Sequence, residues 1–312
     1  MCGFTRLHFV LRTLSSFHTS FPAKASISPT CHTPCVPFPE RTFHWNTPRR
    51  GRQRNQVCVS RRWPTVPDLL AAALFFAPLA HAQWKTPWTY EQADRWSTLD
   101  PAWAPCNTGR AQSPIDIRNP VPADLPPLAF DYHPGPLQYL IDNGYTIRVN
   151  YHDAPGTGNF LVIDGTRYHL TQFHFHHPSE ESVHGRFYPM VLHLMHESPD
   201  GKVVGVAVFL RAGRANATVQ QLWDHMPLVK GPERAVPGVM IDPAALLPSN
   251  TAAYFRYAGS LTAPPCTEGV TWYVLRTPLE VSRAQIAAFA RLYPHDVRPL
   301  QPLDGRTIQV TR

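Results

Sequence analysis

Gln172-Phe173-His174-Phe175-His176, followed after a short insert by Val191-Leu192-His193-Leu194-Met195-His196, is the part of this chain whose reading decides the fold. Side chains two apart in a β-strand share a face. His174 and His176 therefore project together, and His193 on a neighbouring strand supplies a third imidazole. Three nitrogens leave one tetrahedral position of a zinc ion open for water, which is the arrangement of a catalytic rather than a structural site. A lone histidine in an apolar strand is ordinarily a hydrogen-bonded core residue. Here His174, His176, His177, His193 and His196 fall close together, interleaved with Phe, Leu and Met. A solvent-facing histidine tract does not alternate with core-forming types in that way.

Strand signals continue on both sides. Tyr145, Ile147, Val149 and Tyr151 alternate with polar residues, Phe160 to Ile163 is a short apolar run, and Val203 to Leu210 is apolar throughout, as a strand buried on both faces should be. Val270 to Leu275 is another strand. Asp142-Asn143-Gly144, Asp164-Gly165, Pro199-Asp200-Gly201 and Asp304-Gly305 separate these runs as turns. Two helices are expected. Val219, Leu222, Trp223 and Met226 form a helical stripe after Asn216 and Thr218. Ser282 and Gln285 make a capping box ahead of Ile286, Phe289, Ala290 and Tyr293. Both stripes read as core. No repeat or linker interrupts residues 83–312, so they are expected to form one domain.

The ends differ in character from the middle. The chain has 312 residues and a formal charge of +7, but residues 1–82 carry 10 Lys/Arg against Glu40 and Asp68 alone. Residues 83–312 carry 19 Lys/Arg against 20 Asp/Glu. The basic balance belongs to the leader and is no argument for nucleic-acid binding. Arg61 and Arg62, the apolar run Leu69 to Ala80, and Ala80-His81-Ala82 before Gln83 read as a secretory signal over 61–82. That run is too short to span a bilayer, so no stable membrane insertion is expected. Residues 1–60, rich in Pro, Arg, Ser and His, read as a disordered extension or a mis-assigned start. Cys2, Cys31, Cys35 and Cys58 lie in the leader, which leaves Cys106 and Cys266. Two cysteines in an exported chain suggest one disulfide, with two free buried thiols as the alternative.

Several motifs now stand in order: Gln112-Ser113-Pro114-Ile115-Asp116-Ile117, the QFHFH run at 172–176, Ser179-Glu180-Glu181, the LHLMH run at 192–196, and Gly259-Ser260-Leu261-Thr262-Ala263-Pro264-Pro265-Cys266-Thr267-Glu268-Gly269-Val270-Thr271-Trp272. Together they resemble an α-class carbonic anhydrase of the exported bacterial type, from about Trp88 to about Ile308. The resemblance implies a mainly β (α+β) fold: a single domain on a large twisted, mostly antiparallel sheet of about ten strands with peripheral helices. It implies Zn²⁺ on His174, His176 and His193, a Cys106–Cys266 disulfide, and cis peptide bonds before Pro114 and Pro265. The implied reaction is reversible hydration of CO2 to bicarbonate and a proton, by attack of a zinc-bound hydroxide. Thr262 would accept a hydrogen bond from that hydroxide while donating its own proton to Glu180. Met195, Gly205, Val206, Leu261 and Trp272 would line the apolar pocket for CO2, and Gln172 would hold His174.

Five positions depart from the family pattern. Val191 stands where a glutamate usually holds the third histidine, and Glu181 stands where a histidine is usual, so Glu181 is expected to reach His193 instead. Tyr145 occupies the proton-shuttle position, where a phenol with pKa near 10 is poorly matched to neutral pH. Ala263 removes a threonine hydroxyl found in some relatives. Gly205 replaces a branched aliphatic residue, which predicts a wider pocket. The alternatives are a catalytically silent binding module or a zinc esterase, and neither final location (periplasm or outside the cell) nor oligomeric state is legible.

Overall fold

The computed structural model describes residues 86–312. The expected signal and extension lie outside the described residues. Eleven strands pair into one large sheet. In chain order they are β1 (Val121–Ala123), β2 (Ala129–Asp131), β3 (Leu140–Asp142), β4 (Ile147–Asn150), β5 (Phe160–Ile163), β6 (Thr166–His176), β7 (Met190–Glu197), β8 (Val203–Ala212), β9 (Tyr254–Ser260), β10 (Glu268–Val281) and β11 (Gln309–Thr311). The main path runs β1-β11-β9-β10-β8-β7-β6-β4-β3, with β5 pairing β6 and β2. Only β8–β10 and β11–β1 pair in parallel. The expected large, mostly antiparallel sheet is the sheet found. Five two-residue strands form two small sheets beside it.

Local signals explain the elements. Asp164 and Gly165 both take positive φ, +48° and +75°, and join β5 to β6 by a two-residue hairpin. That geometry is the one whose twist matches the flanking strands and which Asp-Gly favours. The run from Val203 lies between β7 and β10, with Val204 through Leu210 buried. The run beginning at Tyr145 forms a shorter strand than the alternation suggests. The Asn143 side chain accepts from the backbone N–H groups of Tyr145 and Thr146 at 2.9 Å, which keeps Tyr145 in the turn.

Helix α1 (Ala217–His225) starts where Asn216 Oδ1 accepts from the Val219 N–H at 2.9 Å. Helix α2 (Arg283–Ala290) carries the complete Ser282/Gln285 capping box. Trp223 of α1 packs on Phe289 of α2, ring centroids 5.5 Å apart, and both lie on Phe175 of β6. No helix among the described residues is long and apolar enough to cross a membrane.

Period two divides the interior. Along β7, Leu192 and Leu194 face one buried cluster, with Phe173, Phe175, Val206 and Val208. Val191 and Met195 face another, with Ile115, Ala207, Tyr257 and Trp272. His193 lies between Val191 and Met195 on that second face, fully buried. At roughly 1.5–3 kcal/mol per fully buried large apolar side chain, the packing on both faces holds β6 and β7 in register. The histidines they carry are placed by that packing.

Candidate active site

β6 and β7 pair with His174 directly opposite His193, and His176 lies two residues along β6 on the same face. Ligand nitrogens of the three histidines all lie within 4.8 Å of one another. The partner of each ring fixes which nitrogen points inward. His174 Nδ1 donates to Gln172 Oε1 at 2.8 Å. His176 Nδ1 donates to the Asp296 carbonyl at 2.7 Å. His193 Nε2 donates to Glu181 Oε2 at 3.3 Å. Each partner atom only accepts, so each of these nitrogens carries the proton and the other presents a bare lone pair. His176 Nε2 and His193 Nδ1 are buried without a hydrogen-bond partner. Burial first, then the neighbouring imidazoles, holds His174 and His176 well below the usual histidine range. For His193 burial also pulls downward, but the Glu181 and Glu180 carboxylates together outweigh it and the net shift is upward. Converging bare nitrogens that would otherwise be stranded fit a divalent cation of the zinc type.

The reach of Glu181 to His193 is thus present in the geometry. Glu181 is itself fully buried, and the Tyr257 hydroxyl donates to its Oε1 at 3.3 Å. Val191 is apolar and packs in the second cluster, so β7 itself offers His193 no carboxylate.

Glu180 lies behind the histidines. Its Oε1 accepts from the Arg298 N–H at 3.0 Å, while its Oε2 sits 3.5 Å from His176 Nε2 and 3.8 Å from His193 Nδ1. Burial pushes its pKa up to about 7, aided by Glu181 and opposed by His193, the Thr262 hydroxyl and the Arg298 amide. A cation among the histidines would favour the ionised form. Thr262 is buried on the Leu261–Thr267 turn, closed by Leu261 N–H to Thr267 O at 2.9 Å and Cys266 N–H to Ala263 O at 2.9 Å. The Cys106–Cys266 disulfide ties this turn to the N-terminal segment, and Gln112 Nε2 donates to the Cys266 carbonyl at 3.0 Å. The peptide bonds before Pro114 and Pro265 are cis, as is a third before Pro178 that the resemblance did not include.

A cavity of about 540 Å³ opens over the histidines. His174, His193, Thr262 and Gln172 face it from one side. Met195, Leu261, Ala263 and Trp272 give it an apolar wall. Tyr145 stands at its edge, stacked face to face on Trp88 with centroids 3.9 Å apart, and burial raises its pKa further above the usual phenol value. Two expected lining residues are not part of the wall. Val206 points to the opposite side of β8, into the cluster with Leu194 and Val208, because it is one residue out of phase with Gly205 and Ala207. Gly205 lies beneath Trp272, where an added Cβ would come within 2.6 Å of two ring carbons. The indole fills the space that the glycine vacates, so the expectation of a wider pocket is corrected.

Sequence reasoning did not find Asp296 or Arg298. Asp296 serves His176 through its backbone carbonyl, which no residue type advertises. Arg298 is buried and donates from its guanidinium to Gln112 Oε1, the Ser113 carbonyl and the Cys106 carbonyl at 2.7–2.8 Å. Only its distance in sequence from all its partners hid it. Arg148 and Lys230, which also line the cavity, carried no motif.

Residues 91–312 match the family model described as eukaryotic-type carbonic anhydrase. The chain belongs to the α-carbonic anhydrase family. The family is one of enzymes. A carbonic anhydrase of Nostoc sp. is 40% identical over 220 residues, covering 69% of this chain and 81% of the relative. One of Klebsiella pneumoniae is 40% identical over 242 residues, covering 76% and 96%. Among solved structures, the α-carbonic anhydrase of Thermovibrio ammonificans in complex with the inhibitor sulfanilamide superposes with a TM-score of 0.67 at 38% identity, covering 73% of this chain and 99% of that one.

Proposed function

We propose that this protein catalyses the reversible hydration of CO2 to bicarbonate and a proton, with Zn²⁺ held by His174 Nε2, His176 Nε2 and His193 Nδ1. The observation that carries the reading is the pair of buried, partnerless nitrogens on His176 and His193, aimed at the same point as His174 beneath a cavity with an apolar wall. When bound, zinc supplies Lewis acidity, which makes water a nucleophile at neutral pH. The remaining work falls to the chain. Gln172, Glu181 and the Asp296 carbonyl hold each imidazole proton on the outward nitrogen and fix ring orientation. Glu180, kept in place by the Arg298 amide, accepts the Thr262 hydroxyl proton. The Thr262 oxygen can then only accept, and it turns the attacking water so that a lone pair faces the carbon of CO2. Met195, Leu261 and Trp272 offer CO2 a surface with no competing hydrogen bonds. One proton per turnover must leave across the cavity, and Tyr145, with its raised pKa, carries it poorly.

The disulfide supports an exported protein, periplasmic or released, because such bonds persist in oxidising compartments. We read residues 61–82 as its signal and 83–312 as the catalytic domain. Stopped-flow CO2 hydration before and after chelation, with zinc re-addition and zinc counted per chain, tests the function. Activity lost with the metal and restored by one equivalent is expected. A zinc-loaded chain without hydration activity would favour a binding module.

A further inference from the structure

Gln112 opens the Gln112-Ser113-Pro114 motif, is buried, and does not line the cavity. Both ends of its amide are bonded. Nε2 donates to the Cys266 carbonyl at 3.0 Å and to Glu268 Oε1 at 2.9 Å, and Oε1 accepts from Arg298 Nη1 at 2.8 Å. The two ends of an amide are alike in shape, but a guanidinium only donates and a carboxylate only accepts. These neighbours therefore allow one orientation. Glu268 is kept as an acceptor: the Gln112 amide first, then the Ala111 N–H at 2.6 Å, hold its carboxyl below the usual carboxylate range, with burial opposing. Gly109 leaves the room, since a Cβ there would press on Gln112 Nε2 and Glu268 Oε1 together.

These bonds close a ring around the Thr262–Glu180 hydrogen bond. Cys266 and Glu268 flank Thr267, whose carbonyl closes the turn that carries Thr262. Arg298 gives its backbone N–H to Glu180 Oε1 at 3.0 Å. One amide thus holds the turn of Thr262 on its nitrogen and the anchor of Glu180 on its oxygen. A hydrogen bond between segments distant in sequence keeps its length only as well as the segments themselves are held.

We propose that Gln112 is a positioning residue for the reaction, which sets the reach of Thr262 to Glu180 by holding the Thr262 turn and Arg298 at a fixed separation. The catalytic consequence rests on the proposed function. Released from Gln112, the turn lets the Thr262 hydroxyl drift from Glu180, and a displacement of about 1 Å at a reacting centre costs up to about 100-fold. The step affected is attack on CO2. Proton export crosses the cavity and does not pass through Gln112.

Gln112→Met keeps the volume and removes all three bonds. Amide hydrogen exchange in the protein as purified is expected to quicken about tenfold or more at the Leu261, Cys266 and Arg298 N–H groups, and not in α1. Stopped-flow hydration in dilute buffer, where proton export limits kcat, is expected to show kcat/KM for CO2 down about tenfold. There kcat should fall less than about threefold, so KM rises. Damage to the fold alone lowers kcat and kcat/KM together and leaves KM as it was. Exchange or kcat/KM within about twofold of wild type overturns the proposal, as do equal losses in kcat and kcat/KM. If Gln112→Met does not fold, the exposed Glu268 decides. Glu268→Ala frees one of the two Nε2 bonds and should show the same pattern at about threefold in kcat/KM. Glu268→Gln, whose side-chain carbonyl still accepts, should restore it, and equal behaviour of the two overturns the proposal. Failure of the proposed function shows differently, as zinc-loaded wild type without hydration activity, and the exchange comparison then still decides whether Gln112 holds the turn to Arg298.

Discussion

Replacing Glu181 by Gln keeps the size of a fully buried side chain and removes its charge. Its Oε2 accepts from His193 Nε2 at 3.3 Å, and both residues are wholly shielded from water. Loss of a partner behind a metal-bound imidazole costs about 10–100-fold in metal affinity, which is about 1.4–2.7 kcal/mol. The bond is longer than the roughly 2.7–2.9 Å of strong charge-assisted pairs, so the lower half of that range, about 10–30-fold, is expected. Competition for zinc against a chromophoric chelator measures it directly. Circular dichroism confirms the fold, which Tyr257 can still support by donating to the carbonyl oxygen of the substituted amide. A second variant sharpens the test. Glu181→His with Val191→Glu reinstates the family's usual pair, because position 191 shares a face of β7 with His193. It should recover most of the loss. Zinc affinity of Glu181→Gln within about twofold of wild type would refute the reasoning, and the histidine would then be held by β7 packing alone.

Other outcomes follow from the same structure. The Cys106–Cys266 bond spans 160 residues; the chain-entropy model assigns such a loop about 5 kcal/mol, so Cys106→Ala with Cys266→Ala should lower the guanidinium midpoint accordingly, and a loss under about 1 kcal/mol would show that the bond matters little to the folded state. Thr262→Val should cut CO2 hydration by about 100-fold or more with zinc content unchanged; equal activity would remove Thr262 from the mechanism. Tyr145→His should raise turnover in dilute buffer and flatten its dependence on buffer concentration, and no change there would place proton export elsewhere. Burial pushes His196, paired with the Tyr132 hydroxyl at 2.6 Å, down to about 3. It stays neutral when folded but protonates when unfolded below about 6.5, so stability is full above that pH and falls by about 1.4 kcal/mol per unit as pH drops toward 3. Urea midpoints at pH 7 and pH 5 should therefore converge in His196→Gln relative to wild type, and an unchanged pH slope would contradict the shift.

What the sequence made legible was whatever depends on local period or on residue type. The HxH pair of β6, the hairpin at Asp164-Gly165 and the capping box of α2 each rest on a few adjacent residues whose geometry is set by backbone sterics. The exchange of Glu181 for the usual residue at 191 was legible because a buried imidazole needs an acceptor and only one candidate was in reach. Asp296 was invisible, since any residue has a carbonyl. Val206 was misplaced by one step, and in a strand one step is the whole difference between faces. The role of Gly205 depended on where a large ring from β10 would settle, which no pattern along β8 encodes.

The four bonds of Arg298 bear on how this chain can be cut or fused. One side chain grips the carbonyls of Cys106 and Ser113 and the amide of Gln112, while the same residue's N–H holds Glu180. The opening segment is therefore a strut of the reaction centre and no disposable tail. A truncation or tag placed within 106–113 would loosen a carboxylate far along the chain, whereas a junction upstream of Thr86 leaves every one of those grips intact.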